Sequence, residues 1–312
     1  MTRARASGKV ILFGEHAVVY GRPAIAVPFA QVHATADLVT QPEGPLGEIW
    51  IEAPDIGYTA PLSGAPDKDP LGLILRLGKS ELGLTDHPPL RLQISSTIPV
   101  ASGLGSGAAV SVAILRALGE HFARPLRPER LSALAFEVEK IHHGTPSGID
   151  NTVIAHQRPV FYIRGKPMKI LHIRAPFHLL VADSGLPSPT AEAVALVRRE
   201  WEARRKHYEA IFDEMGEIVE AAREAIETGV PEALGPLMDR NQSALDAMGV
   251  VTPALRGMLS AAVAAGALGA KISGAGLGGN LIALVRAERA DAVAHALASA
   301  GAGQVILTEV GG

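Results

Sequence analysis

The stretch "IPVASGLGSGAAVSVAILRAL" (98–118) places small residues between a strand-like run and an apolar, helix-like run. Gly103, Gly105 and Gly107 remove side chains where the backbone must turn, and the run 108–118 can begin a helix directly behind them. The unpaired N–H groups of a helix start, next to a glycine-rich loop, suit an anion and above all a phosphate. The stretch therefore predicts a phosphate-binding loop.

Other glycine-rich loops fit this stretch less well. A Walker-type loop ends in Gly-Lys-Ser/Thr, whereas Ser106 is followed by glycine and alanine with no lysine. The dinucleotide fingerprint matches residues 103–108, and it also matches "GAGLGG" (274–279). However, "RPLRPERL" follows the first helix, and a strand-like run follows the second match. A helix entry that binds no ligand stays open as the alternative from this loop alone.

The composition is that of an ordinary globular protein of one large or two modest domains, with 312 residues and 47% hydrophobic residues. A net charge of -3, with no run of five like charges, gives no support for binding nucleic acid or an anionic membrane. The absence of cysteine excludes disulfides, thiol catalysis and thiolate metal sites. No predominantly apolar run is long enough to span a membrane, and no signal-type cleavage site follows the N-terminus. We therefore expect a cytoplasmic enzyme that acts on small polar ligands.

Strand-like and helix-like runs along the chain predict a mixed α+β protein. The strand-like runs are 9–13, 48–53, 90–96, 160–164, 178–183, 280–285 and 304–310. The helical runs are 107–121, 129–142, about 190–228 and 253–265, the last with Thr252 as its cap, Pro253 in its first turn and Gly266 at its end. The segment 53–70 is rich in Pro, Gly and Asp and predicts a long surface excursion. A domain break is predicted within 166–178.

The segment "EKIHHGTPSGIDNTV" (139–153) contains two candidate acidic residues. Glu139 follows an apolar helical stripe and is predicted at the edge of a buried face, where a carboxylate needs a cation. Asp150 is predicted in a Gly/Pro/Ser-rich turn, where an aspartate is usually only a cap or part of an Asx-turn. The segment alone therefore leaves a structural and a catalytic role open for Asp150.

The segment "GKVILFGEHAVVYG" (8–21) carries further polar residues at the two ends of a strand. Lys9 opens a buried-looking strand, and Glu15 and His16 follow its end. Taken singly, Lys9 could extend its ammonium to the surface and His16 could be a hydrogen-bonded core histidine. Together with the glycine loop and Asp150, these residues indicate a functional site.

In order and spacing, these segments resemble the motifs of the GHMP kinase superfamily. Residues 8–21 match its first motif, residues 99–109 its phosphate loop, and "KISGAGLGGN" (271–280) its C-terminal glycine motif. The resemblance covers essentially the whole chain. Within the superfamily, "HHGTPSGIDNTV" (142–153) is similar to the mevalonate kinase form, whereas homoserine kinases lack the aspartate at this place.

The resemblance implies a two-domain α+β fold. Its N-terminal domain would occupy residues 1–172 and resemble domain 2 of ribosomal protein S5. Its C-terminal domain would occupy residues 173–312 and form a ferredoxin-like α/β sandwich.

The resemblance also implies an activity, the transfer of a phosphoryl group from ATP to the 5-hydroxyl of mevalonate with Mg²⁺ as cofactor. Asp150 matches the family's catalytic base, which accepts the proton of the hydroxyl. Lys9 matches the lysine that keeps this aspartate ionised and neutralises charge on the transferred group, in agreement with the needs of phosphoryl transfer. Glu139 matches a magnesium ligand, and Ser106 is the candidate for a second one.

The remaining site residues implied by the resemblance fall into two groups. Those of the phosphate loop are Ala101, Ser102, Gly103, Leu104, Gly105, Ser106, Gly107 and Ala108. Those on the substrate side are Glu15, His16, Asp150, Thr190, Gly274, Ala275 and Gly276, with Gly278 and Gly279 allowing close approach of the backbone.

The chain departs from the family pattern at several positions. Gly107 replaces the serine usually assigned to magnesium, so Ser106 or water would complete the metal shell. Leu277 and Asn280 replace a glycine and a cysteine, and Ser188 stands where many members carry an arginine. The alternatives left open are phosphomevalonate kinase, mevalonate 3-kinase and a catalytically silent ligand-binding paralogue. A homodimer is also left open.

Overall fold

The structure, a computed structural model, describes residues 1–99, 102–143 and 146–311, and for residues 142 and 143 it describes the backbone only. Eleven strands lie in this described part of the chain. They are β1 (Thr2–Phe13), β2 (Ala24–Thr40), β3 (Ile49–Ala53), β4 (Tyr58–Pro61), β5 (Leu90–Ser96), β6 (Val160–Tyr162), β7 (Lys169–Ile170), β8 (Phe177–Asp183), β9 (Gly269–Ser273), β10 (Asn280–Val285) and β11 (Gln304–Val310).

Nine α-helices lie in the same described residues. They are α1 (Pro70–Leu82), α2 (Ser106–His121), α3 (Pro128–His143), α4 (Ile149–His156), α5 (Thr190–Ala203), α6 (Arg205–Thr228), α7 (Leu234–Ala247), α8 (Pro253–Ala264) and α9 (Ala290–Ser299). None of them is long and apolar enough to cross a membrane.

The chain forms two compact units, and each unit is discontinuous in sequence. The first contains residues 1–9, 32–100 and 105–157, and the second contains residues 10–31, 101–104 and 158–312. The domain boundary predicted at residue 172 stays a prediction, because these units group residues by contact and alternate along the chain.

The first unit contains a sheet and four helices, α1 to α4. Its strands lie in the order β4-β3-β5-β2, with β3 parallel and β2 antiparallel to β5. In β5, Leu90, Leu92 and Ile94 are buried while the residues between them face outward. This alternation is the period of two that a strand with one buried face requires. The apolar face of α2, including Val112 and Leu115, is also fully buried.

The second unit is built on a four-stranded antiparallel sheet in the order β11-β8-β10-β9. Numbered along the chain, this order is 4-1-3-2, with helices between the first and second strands and between the third and fourth, as in a ferredoxin-like fold. β9 lies at one edge. The side-chain oxygens of Asp239 and Gln242 on α7 accept hydrogen bonds from the edge N–H groups of Ala270 and Ile272. These contacts cover an edge that would otherwise expose unpaired backbone groups.

The predicted elements agree with the structure at most positions. The seven strand-like runs coincide with strands, and Thr252 caps α8 by accepting a hydrogen bond from the N–H of Leu255. The long helical run breaks at Arg204, whose backbone is not helical, into α5 and α6. The prediction for segment 53–70 is wrong in part, because Tyr58–Pro61 forms β4 and pairs with β3.

Candidate active site

Lys9 and Asp150 form an ion pair in the first unit, with 3.1 Å between Nζ and Oδ2. Lys9 lies in β1 with a side chain only 3% exposed, whereas the side chain of Asp150 is 27% exposed. The sequence predicted Asp150 in a loop, and this prediction is wrong. The residue lies in the first helical turn of α4, whose N-cap is Gly148 with a positive φ of 90°. A carboxylate at this end of a helix is stabilised by the helix dipole.

Glu139 is a buried carboxyl on α3 whose charge interacts with both members of that pair. Glu139 comes directly after Val138, which forms a buried helical face together with Leu131 and Leu134. The whole of Glu139 is only 5% exposed. Burial and, to a smaller extent, the nearby Asp150 carboxylate raise the pKa of Glu139 to about 7, and Lys9 partly opposes the shift. A buried carboxyl of this kind would be stabilised in its ionised form by an additional cation.

The glycine-rich loop leads into α2 as the sequence predicted, with Ser106 as the first helical residue. Gly103 and Gly105 have positive φ angles of 82° and 79°, a region that favours glycine. A Cβ on Gly105 would also lie 2.9 Å from Cδ1 of Ile154 and 3.1 Å from Cγ of Lys9, so a side chain does not fit there. Gly107 is the second residue of α2.

The first-turn N–H groups of α2 have no carbonyl partner within the helix, so they suit a phosphate group. These are the N–H groups of Ser106, Gly107 and Ala108. Ala101, the first residue of the predicted phosphate-binding set, lies outside the described residues.

The residues present fit a magnesium ion by the chemistry of their donors. Among the described residues, no three His, Asp or Glu side chains are grouped as a metal site. Glu139 and Asp150 nevertheless supply two carboxylates that influence each other electrostatically. Magnesium commonly takes one or two carboxylates and completes its shell with water and phosphate oxygens.

In the second unit, Glu15 and Lys271 form an ion pair in which the two side chains are 1% and 0% exposed. Glu15 follows the end of β1, as predicted, and Lys271 lies in the middle of β9. The Lys271 Nζ also donates a hydrogen bond to the carbonyl oxygen of Ile272, at 2.6 Å. Burial lowers the pKa of Lys271, while the carboxylate of Glu15 opposes this shift.

Asn241 on α7 completes this buried network. Its Nδ2 donates to Oε2 of Glu15 at 3.3 Å, and its Oδ1 accepts a hydrogen bond from the N–H of Gly14 at 3.2 Å. Asn241 is fully buried. The turn after β1 is therefore hydrogen-bonded to α7 through Asn241 and paired with β9 through Lys271.

His16 adopts a backbone conformation that is rare for a residue with a side chain, with φ 58° and ψ -53°. Its Nε2 lies 2.9 Å from the carbonyl oxygen of Ala275, so the protonated Nε2 donates to that oxygen. Burial lowers the pKa of His16, which favours the neutral ring. In this tautomer Nδ1 remains a hydrogen-bond acceptor.

The C-terminal glycine motif forms a tight turn between β9 and β10. A Cβ on Gly276 would clash with the carbonyl oxygen of Val250, and one on Gly278 would clash with that of Pro187. Leu277 has a φ of 61°, in the left-handed region that favours glycine.

Three polar residues lie near this turn within the second unit. Thr190 is the first residue of α5, and its N–H donates to the carbonyl oxygen of Ser188 at 2.8 Å. The hydroxyl of Ser188 is 3.5 Å from the carbonyl oxygen of Gly276. Asn280, the residue that replaces the usual cysteine, donates from Nδ2 to the carbonyl oxygen of Ser102.

The structure thus brings the predicted residues together in two groups, one in each unit. Lys9, Glu139 and Asp150 interact in the first, and His16 contacts Ala275 in the second. No role was predicted from the sequence for Lys271, Asn241 or Asn280. Lys271 could have been identified from the sequence, because it is the one charged residue in the middle of the strand-like run 269–273, and a buried charge requires a partner.

Comparisons with known proteins agree with these motifs. The family model described as the GHMP kinases N terminal domain matches residues 71–157, and the one described as GHMP kinases C terminal matches residues 222–303. The mevalonate kinase of Pyrococcus furiosus is 37% identical over 329 residues, which covers 98% of this chain and 95% of that protein.

Solved structures give the same picture of the fold. The crystal structure of the L. major mevalonate kinase in complex with R-mevalonate is 28% identical, with a TM-score of 0.83 over 99% of this chain and 96% of that one. The phosphomevalonate kinase of Streptococcus pneumoniae, in complex with phosphomevalonate and AMPPNP, has a TM-score of 0.84 over 99% of this chain and all of that one. At 18% identity, the second likeness shows the fold alone.

Proposed function

Since the chain belongs to the mevalonate kinase family of the GHMP kinase superfamily, we propose that it transfers the γ-phosphoryl group of ATP to the 5-hydroxyl of mevalonate. The products are 5-phosphomevalonate and ADP. The reaction supplies a phosphorylated precursor for isoprenoid synthesis.

The observation that carries the proposal is the ion pair between Lys9 and Asp150, with 3.1 Å between the charged atoms. Phosphoryl transfer needs a group that accepts the proton of the attacking hydroxyl and a cation that balances the charge of the transferred group. The carboxylate of Asp150 is partly exposed and can meet a substrate hydroxyl, while the ammonium of Lys9 is held in place by burial.

The proposed reaction is a direct displacement at the γ-phosphorus. The 5-hydroxyl oxygen of mevalonate forms the new P–O bond, and its proton passes to an Oδ atom of Asp150. The bond between the γ-phosphorus and the bridging oxygen breaks, and the electron pair leaves with ADP. Lys9 stabilises the negative charge on the transferred group in surroundings with little water, where such an interaction is strong.

The first turn of α2 is proposed to bind the phosphates of ATP. Glu139 is proposed to bind the magnesium ion that accompanies them. The N–H groups of residues 106–108 would bind phosphate oxygens, as helix N-termini do. Glu139, with Ser106 as a second candidate, would hold Mg²⁺, which would supply positive charge to balance that of the phosphates.

The second unit is proposed to provide mevalonate recognition. Glu15, His16, Thr190 and the glycine turn 274–276 are the candidate residues. The neutral ring of His16 offers Nδ1 as an acceptor for a substrate hydroxyl. The glycines of the turn leave backbone groups uncovered by side chains.

An ADP-release assay tests the proposed substrate against those of related kinases and against a catalytically silent protein. The protein is given ATP and Mg²⁺ with mevalonate, phosphomevalonate, homoserine or galactose, and ADP is measured with a coupled enzyme system. We expect saturable ADP release with mevalonate and none with the other three compounds. Release with phosphomevalonate instead, or no release with any of the four alcohols, would contradict the proposed function.

A further inference from the structure

The buried ion pair between Glu15 and Lys271 joins two parts of the second unit that carry candidate substrate residues. Glu15 immediately precedes His16, and Lys271 lies on the strand that leads into the glycine turn containing Ala275. The ion pair therefore connects the same two segments as the hydrogen bond between His16 and the carbonyl oxygen of Ala275.

The conformation of His16 has to be maintained against its own backbone preference. A left-handed φ is unfavourable for a non-glycine residue and persists only where its surroundings enforce it. Gly14, on the other side of Glu15, also has a positive φ of 93°, and a Cβ there would clash with the carbonyl oxygen of Pro23. Glu15 is thus the one side chain in this short turn that is fixed by an ion pair.

The bonds of Lys271 explain how the turn is enforced. Its ammonium contacts Oε1 of Glu15, while Asn241 donates to Oε2, so both carboxylate oxygens have partners. Lys271 itself is fixed because it sits in β9, which pairs with β10 and is covered by α7. Loss of its charge would leave a carboxylate that is 99% buried with only an amide partner, which is strongly unfavourable.

We propose that Lys271 is a positioning residue for mevalonate binding, acting through Glu15 to hold the strained turn at His16 in register with the glycine turn at Ala275. Lys271 itself is fully buried, so it acts on the substrate through these neighbours. The inference rests on the proposed function, because its readout is the KM for mevalonate.

The first test compares the parent with Lys271→Met, which keeps most of the aliphatic stem and removes the charge. We expect the KM for mevalonate to rise at least about tenfold, while the KM for ATP stays within about twofold. The melting temperature should also fall, because Glu15 loses its charge partner. A parent-like KM for mevalonate in a folded Lys271→Met protein would overturn the inference.

Gln242→Met is the matched control for general loosening of β9. Gln242 is buried on α7 and accepts the N–H of Ile272, next to Lys271 in the same strand, without contacting Glu15. We expect this variant to lower the melting temperature and leave the KM for mevalonate unchanged. If it raised that KM as much as Lys271→Met does, the role of Lys271 would be only structural.

A double-mutant cycle tests whether Lys271 acts through Glu15. In the Glu15→Gln background, Lys271→Met has no carboxylate to orient, so we expect it to change the KM for mevalonate by less than about twofold. A tenfold change in that background would overturn the inference. This comparison needs only Glu15→Gln and the double variant, so it remains available if Lys271→Met alone does not fold. In Glu15→Gln the buried amine can lose its proton, because burial already lowers the pKa of Lys271, and the double variant contains no charge in this network.

The parent protein separates failure of this inference from failure of the proposed function. A parent that does not phosphorylate mevalonate contradicts the proposed function. An active parent whose KM is insensitive to Lys271→Met contradicts only the positioning role.

Discussion

Lys9 and Asp150 are joined across 3.1 Å, yet the two side chains differ greatly in exposure, at 3% and 27%. The buried lysine is fixed within β1, whereas the aspartate at the start of α4 retains contact with solvent. This asymmetry suits a cation with a fixed position and a carboxylate that must exchange a proton with a substrate. The first predictions address these two residues.

Asp150→Asn preserves the size of the side chain but removes its ability to accept a proton. We expect kcat to fall by about 10² to 10⁴ while ATP binding is retained. Steady-state kinetics and ATP titration measure the two quantities. Asp37→Asn is the control, because it breaks the exposed ion pair of Asp37 with Arg3 and should leave kcat unchanged. Near-normal kcat in the Asp150 variant would exclude this residue as the base.

Lys9→Met separates a catalytic from a structural lysine. The variant keeps the buried stem and removes the charge, and Asp150 can replace its lost partner with water because it is partly exposed. We expect the melting temperature to change by only a few degrees, which corresponds to about 1 kcal/mol in the free energy of unfolding. We also expect kcat to fall by about 10² to 10³-fold. Equal kcat in parent and variant would leave Lys9 with a structural role only.

The raised pKa of Glu139 predicts a pH dependence of stability in the metal-free protein. Its pKa is about 7 when folded, against an ordinary value of 4.5, so between these values the folded state binds more protons than the unfolded chain. The contribution of Glu139 to the free energy of unfolding is therefore largest at low pH and is lost as pH rises through about 7.

Melting curves of parent and Glu139→Gln, recorded in chelator from about pH 5 to about pH 8, test this effect. We expect the melting temperature of the parent to decline relative to that of the variant as pH rises. Parallel curves would show that Glu139 titrates as an ordinary carboxyl.

Magnesium dependence tests the proposed ligands of the phosphate site. Glu139→Gln should shift the magnesium concentration needed for half-maximal activity upward, and Ser106→Ala should do so only if its hydroxyl serves the metal. Gly107 lies in the first turn of α2, so Gly107→Ser should fold normally and lower the magnesium requirement. Unchanged magnesium dependence and melting temperature in both loop variants would show that neither position serves the metal.

The sequence predicted the two-domain GHMP kinase fold, and the family models and relatives confirm it. The resemblance of its motifs to the family implied this fold, and local patterns predicted the individual elements. The alternation in β5, the cap at Thr252 and the position of Glu15 and His16 after β1 are all properties of neighbouring residues.

Relationships between distant residues were not predictable from the sequence. Lys271 and Glu15 are separated by 256 positions, and nothing local to either residue indicates the other as its partner. The same applies to Asn280, whose contact with the carbonyl of Ser102 joins residues 178 positions apart. The roles given to Lys9, Asp150 and the other site residues stay predictions.

Phosphoryl transfer to the 5-hydroxyl of mevalonate is tested most directly by identifying the phosphorylated product. The parent protein and Asp150→Asn are each incubated with ATP, Mg²⁺ and mevalonate, and the product is analysed by ³¹P–¹H correlation NMR. We predict that the parent forms a phosphate ester coupled to the protons on C5 of mevalonate, and that Asp150→Asn forms it at least about 100-fold more slowly. An ester at the 3-hydroxyl, or no phosphorylated mevalonate from the parent, would show that the protein does not phosphorylate the 5-hydroxyl.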